Sequence, residues 1–175
     1  LIMFSSPCNP SGSVLSRKEL EALAEVVRKH PNVYVVADEI YEHIVFDGAH
    51  ESFAALPGMA ERTITVNGLS KAFALTGWRL GYIGAPLWIA QAATKVQGQF
   101  TSGTNTIAQR VAKACMEADP SLLAPMRADF LRRRDLVLNA LKKIHGWRCN
   151  VPQGAFYLLP DVRSCIDGRT IKGSV

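Results

Sequence analysis

Residues 33–42 read "VYVVADEIYE". The run Val33–Ala37 is continuously apolar and rich in valine, and it stops at adjacent carboxylates, Asp38 and Glu39. A strand with one wet face alternates polar and apolar residues, whereas an uninterrupted run suits a strand covered on both faces of a parallel sheet. Upstream, "LIMFSSP" (1–7) reads as a second strand running into the turn "NPSG" (9–12). Between the two strands, Ser16-Arg17-Lys18-Glu19 is a capping box that opens a helix with Leu20, Leu23, Ala24 and Val27 on one face. Pro31, in "KHP", ends that helix. Downstream, "TITV" (63–66) and "GYIGA" (81–85) read as strands, and "PLWIAQAATKVQ" (86–97) and "NTIAQRVAKACMEA" (105–118) as helices. Strands alternating with helices predict an α/β fold, a mostly parallel sheet with helices on both faces.

The pattern changes around "EADPSLLAP" (117–125), where one long helix begins, and "WRCNVPQGAFYLLPDV" (147–162) then suggests short strands. This places residues 1–122 in a large ligand-binding domain and 123–175 in a linking helix and the start of a smaller α+β domain. The chain opens on "LIMFSSP" and stops on "RTIKGSV". Both read as the interior of a longer protein, so an internal fragment, inactive by itself, is expected.

With 48% hydrophobic and 20% charged residues, the composition is that of an ordinary globular domain. No apolar run approaches the roughly 20 residues of a membrane helix, and no signal-peptide pattern appears. Cys8, Cys115, Cys149 and Cys165 form no Cys-x-x-Cys pair, which points to neither zinc nor a disulfide framework and makes a cytoplasmic setting the default. His30, His43, His50 and His145 lack metal-ligand spacing. Much of the net charge of +5 falls in "RADFLRRRDLVLNALKKIHGWR" (127–148), where Phe130, Leu131, Val137, Leu138, Leu141 and Ile144 form a core-facing stripe beside the basic residues. Without a binding motif, this is a solvated helix face rather than a nucleic-acid surface.

Ligands of open α/β sheets bind beyond the carboxyl ends of the strands. Asn9, Asp38 and Lys71 each fall just past a different predicted strand, presenting an amide, a carboxylate and an amine to one crevice. Lys71 lies in the small-residue loop "GLSKAFALTGWR", with Arg79 following in a Gly-Trp-Arg turn. Two cations so placed are costly unless an anion lies between them or one serves as a neutral amine. Pyridoxal 5'-phosphate meets both conditions. Lys71 would condense with its aldehyde, Arg79 would grip its phosphate with a planar fork, and Asp38 would keep its pyridine nitrogen protonated. Tyr41 and Asn9 would reach its phenolic oxygen. Taken singly, Asn9-Pro10 is also a turn dipeptide, Asp38 a turn cap and Tyr41 a core aromatic. The glycines of "GWRLGYIG" do not match the dinucleotide-binding spacing.

In this order and spacing, "NPSG", "ADEIYEHIVFDG" and "GLSKAFALTGWRLGY" resemble the class I aminotransferases, a fold-type I pyridoxal-phosphate family, and within it the aspartate or aspartate/prephenate branch. The resemblance runs on through "QGQFTSGTNTIAQ" to "VPQGAFYLLPD". It implies that Lys71 forms the aldimine, Arg79 binds phosphate and Asp38 pairs with the pyridine nitrogen. Tyr41 and Asn9 hold the phenolic oxygen, and Ile40 packs on one face of the ring. It further implies a homodimer with no nucleic-acid or membrane partner, in which "QGQFTSGTN" (97–105) meets the neighbouring subunit. The reaction implied moves an amino group between an L-amino acid, aspartate or glutamate, and a 2-oxo acid. The same motifs serve some lyases and aminocyclopropane-carboxylate synthases, and aminotransferase-like domains of transcription regulators. One departure stands out. Many members carry a phosphate-binding serine three residues before the lysine, where this chain has Gly68.

Overall fold

A computed structural model describes residues 1–166. Its main sheet has the order β1-β2-β3-β4, formed by Ile2–Ser5, Val35–Asp38, Thr63–Gly68 and Gly81–Gly84. β1, β2 and β3 run parallel, and β4 returns antiparallel beside β3. The architecture is therefore α/β with a mixed, mostly parallel sheet. Positions 167–175 of the expected smaller domain lie outside the described residues.

The helix α1 (Arg17–Arg28) forms as its sequence requires. The Ser16 side chain accepts from the Glu19 amide, and the Glu19 carboxylate accepts from the Ser16 amide, so two otherwise orphaned donors are satisfied. Its apolar row, Leu20, Ala24 and Val27, buries against Val35 and Ala37 of β2 and against Phe53, Leu56 and Met59. Each large apolar side chain covered in this way contributes about 1.5–3 kcal/mol. Phe4 of β1 meets Phe53 edge to face, with ring centroids 5.6 Å apart. The other side of the sheet is less covered: Met3 and every residue of β4 are exposed.

After β4 come α2 (Leu87–Phe100), α3 (Thr106–Met116, capped by Asn105) and α4 (Ala124–Leu141). No helix among the described residues is long and apolar enough to cross a membrane. The expected contact loop 97–105 is shorter than its sequence suggests, because Gln97–Phe100 close α2 and only 101–105 is loop. The core-facing stripe expected on α4 is also corrected. Leu138 is its one buried member, Phe130, Leu131 and Leu141 are half-buried, and Val137 and Ile144 are exposed. A helical stripe is buried only as far as neighbours cover it. Among the described residues the cover comes from the 3-10 turn Pro120–Leu123, the short strand β5 (Arg148–Cys149), the aromatic segment after it and the cluster around Tyr41 and Ile44.

That segment, Asn150–Tyr157, ties the carboxyl-terminal part of the described residues to the main sheet. β5 pairs briefly with β6 (Pro160–Asp161), but most of the segment is a strap crossing the loops that follow β1 and β2. The amides of Gln153 and Gly154 both donate to the Gly12 carbonyl, the Ala155 amide donates to Ile44, and the Phe46 amide donates to Gln153. Arg134 of α4 donates to the Pro152 carbonyl at 2.9 Å while its guanidinium lies over the Phe46 ring. The approach is close enough to demand glycine. A Cβ on Gly154 would stand 2.7 Å from the Ile44 carbonyl oxygen and 2.9 Å from Pro7. We therefore expect Gly154→Ala to destabilise the fold by about 1–3 kcal/mol, read as a lower urea midpoint at an unchanged slope.

Candidate active site

The strand register aligns Ser5, Asp38 and Val66 across β1, β2 and β3. The segments bearing Asn9, Asp38 and Lys71 therefore leave the sheet at one edge, as the sequence predicts. Asp38 ends β2, half-buried, and its Oδ1 accepts from the Ile40 amide at 3.1 Å, which fixes the carboxylate at the strand tip. Tyr41 is buried, with its hydroxyl 2.5 Å from that of Tyr157. Burial, first, and then the Tyr157 hydroxyl and the nearby Asp38 charge hold its phenol well above the ordinary tyrosine range. Asn9 is exposed on the turn after β1.

The lysine loop is shaped by its own backbone. Leu69 and Ala72 are buried on either side of half-buried Lys71, the Phe73 amide returns to the Leu69 carbonyl, and the Thr76 hydroxyl donates to the Ser70 carbonyl. Ala74 and Arg79 both take left-handed backbone, each with φ of 53°. Such conformations cost a non-glycine residue about 1–2 kcal/mol and concentrate at functional turns. Arg79 closes the turn by donating from Nη1 to the Thr76 carbonyl at 2.8 Å, and its exposed guanidinium lines an open concavity with Trp78, Gln97 and Asn105. Lys71 and Asp38 do not line that concavity. Lys71 enters no ion pair among the described residues.

The departure at Gly68 has a steric cause. Gly68 pairs with Gly81 across β3 and β4, and a Cβ there would stand 3.0 Å from the Leu80 carbonyl oxygen and 3.1 Å from Gly81 Cα. A serine at this position would press on backbone that the sheet holds in place.

Several residues that shape the site carry no motif of their own. Asn67 Oδ1 accepts from the Gly68 amide and its Nδ2 donates to Glu42, each at 2.7 Å, tying the lysine loop to the turn after β2. The sequence signal, Asn between a strand and Gly, is only that of a turn. Glu39, adjacent to Asp38, is buried and plays a different part. Its Oε1 accepts from the Ser52 hydroxyl and the Phe53 amide, and its Oε2 lies 3.1 Å from His50 Nε2. Glu39, Glu42 and His50 place one ligand atom each within 4.8 Å of the others. The Glu39 oxygens are taken up by these donors, however, which makes the group a staple for the loop after β2.

The family described as aminotransferase class I and II matches residues 1–166. The chain belongs to this family. It is 50% identical over 168 residues to a Petunia hybrida protein named bifunctional aspartate aminotransferase and glutamate/aspartate-prephenate aminotransferase, covering 94% of this chain and 35% of that one. An aspartate/prephenate aminotransferase of Cereibacter sphaeroides is 43% identical over 173 residues, which is 98% of this chain and 43% of that one. Among solved structures, the aspartate aminotransferase from Rhizobium meliloti matches with a TM-score of 0.87 at 43% identity, over 90% of this chain and 40% of that one. The Thermus thermophilus aspartate aminotransferase with maleate matches at 0.86 and 40% identity, over 94% and 43%. The chain spans less than half the length of these relatives.

Replacing Glu39 with Ala would strand His50, Ser52 and the Phe53 amide without their buried acceptor. We expect a loss of about 3 kcal/mol in chemical unfolding.

Proposed function

We propose that this chain carries the cofactor-binding part of an aminotransferase that moves an amino group between an L-amino acid, aspartate or glutamate, and a 2-oxo acid. The observation that supports the reading is the parallel register of β1, β2 and β3, from whose carboxyl ends the segments bearing Asn9, Asp38 and Lys71 continue. The donor set fits pyridoxal 5'-phosphate: an amine for its aldehyde, a carboxylate for its ring nitrogen, a phenol and an amide for its phenolic oxygen, and a guanidinium for its phosphate. When bound, that group supplies an electron sink for the electron pair left as the substrate loses its α-proton.

The residues divide this work among them. Lys71 Nζ would hold the cofactor at its aldehyde and, as a free amine, would be the base for the proton of the substrate α-carbon. Asp38, oriented by the Ile40 amide, would be the partner of the ring nitrogen. Tyr41 remains protonated across the physiological range, since burial and Tyr157 hold its phenol above the usual value, and so keeps a proton to donate. Asn9 reaches the same oxygen from the turn after β1. Arg79 has N–H groups left for phosphate beyond the one given to Thr76.

The substrate class is supported by the names of the relatives and by the Thermus structure, which holds maleate, a dicarboxylate. We place the enzyme in the cytoplasm as a homodimer, with residues 1–122 in the cofactor-binding domain and 123–175 beginning the smaller one. Exposed Trp88, Phe100 and Ile107 support a subunit contact near α2 and α3.

In the holoenzyme, L-aspartate should bleach the visible cofactor band and a 2-oxo acid should restore it. Lys71→Ala should abolish that band and cut amino transfer by at least about 10²–10⁴-fold, with circular dichroism unchanged. A visible band that survives in Lys71→Ala would overturn the assignment.

A further inference from the structure

We propose that Tyr157 is a positioning residue that acts through Tyr41, donating its hydroxyl proton to the Tyr41 oxygen so that the Tyr41 proton is directed at the cofactor's phenolic oxygen. The proposal rests on the reading of Tyr41 given above and extends it to a residue on a distant part of the chain.

The geometry supports it on three counts. The two hydroxyls are 2.5 Å apart, the short end of the O–H···O range. Each phenol has a single proton, so if Tyr41 spends its own on the cofactor, the proton between the two oxygens must come from Tyr157. The Tyr157 ring is also held in place. It meets Tyr41 edge to face at 5.6 Å and leans on Phe156 at 4.8 Å, while Phe156 stacks on Phe130 of α4.

The backbone that presents Tyr157 is constrained as well. Ala155 is fully buried in left-handed backbone with φ of 56°, and its amide is bound to the Ile44 carbonyl. A non-glycine residue holds that conformation only where its surroundings impose it. Ile44 lies just past Tyr41 on the same turn, so the strap and the turn are bonded at their backbones and again at their hydroxyls. Hydrogen bonds in series polarise one another, so a proton donated to the Tyr41 oxygen makes Tyr41 the stronger donor in turn.

The test is a pH titration of the visible band of the holoenzyme, in Tyr41→Phe, Tyr157→Phe and the double variant. A donor on the phenolic oxygen favours the deprotonated, more negative form of the chromophore, so losing it raises the midpoint. We expect Tyr41→Phe to raise it by about 1 pH unit. Tyr157→Phe should raise it by a few tenths, on the order of a cooperative contribution. The double variant should match Tyr41→Phe alone, because Tyr157 has no other route to the cofactor. Phe keeps the ring contacts, so a role in packing alone would leave the Tyr157→Phe midpoint where it was, and that result overturns the proposal. Shifts that add in the double variant overturn it too, since Tyr157 would then reach the cofactor independently. No shift in Tyr41→Phe would instead remove the reading of Tyr41 on which the proposal stands. Matching melting temperatures across the three variants confirm that folded proteins are compared.

Discussion

A few backbone hydrogen bonds made by the strap at Gln153–Ala155 tie together the two turns that carry Asn9 and Tyr41. Gly12, on the turn after β1, and Ile44 and Phe46, on the turn after β2, share this one partner. The turns are otherwise separate excursions from neighbouring strands, and the strap locks them together at the edge where the polar residues gather. Such contacts form only when the chains nearly touch. That is why Gly154 has no room for a side chain, and why a Cβ on Gly12, in left-handed backbone with φ of 69°, would stand 2.4 Å from Pro152 Cβ. The turn "NPSG" and the sequence "PQGAFY" are thus two halves of one contact, though far apart in the chain.

A more local constraint, the alternation of side chains along an extended chain, explains how two adjacent carboxylates take different parts. Asp38 stays at the strand tip, oriented by the Ile40 amide, while Glu39 turns into the protein and gathers His50, Ser52 and Phe53. Successive side chains of an extended chain point to opposite sides, so one acid faces the site edge and the next anchors the loop behind it. A buried carboxylate is costly unless donors meet it, and here both oxygens are met. Asn67 and Glu42 repeat the principle one strand further on, connecting the turn after β2 to the lysine loop. The polar residues around the site are therefore largely fixed by hydrogen bonds, most of them within one loop, with Asn67 and Glu42 joining two.

Much of this was legible in the sequence. The valine run predicted a buried strand, the capping box predicted the start of α1, and the strand pattern predicted that the segments bearing Asn9, Asp38 and Lys71 leave a parallel sheet on the same side. Those signals are local: periodicity and capping are set by residues a few positions apart, and side chains beyond parallel strands share one edge whatever lies elsewhere. Less local features were misread or missed. The apolar stripe on α4 was expected to be core, yet Leu138 alone is buried and Val137 and Ile144 are exposed, because periodicity gives a face but not what covers it. The steric reason for Gly68, which has no room for a side chain beside Leu80 and Gly81, was likewise not visible in the sequence.

By itself, then, the sequence determined the α/β class and the family resemblance, and it singled out Asn9, Asp38, Tyr41, Lys71 and Arg79 as the candidates for the site. Tertiary structure alone decided that Tyr157 meets Tyr41, that Arg134 clamps Pro152 beside Phe46, and that Glu39 is a staple rather than a second acid in the site. The physical reason is range. Hydrophobic period and turn chemistry are written in neighbouring residues, whereas a hydrogen bond between residues more than a hundred positions apart exists only once the packing of everything between them has been settled.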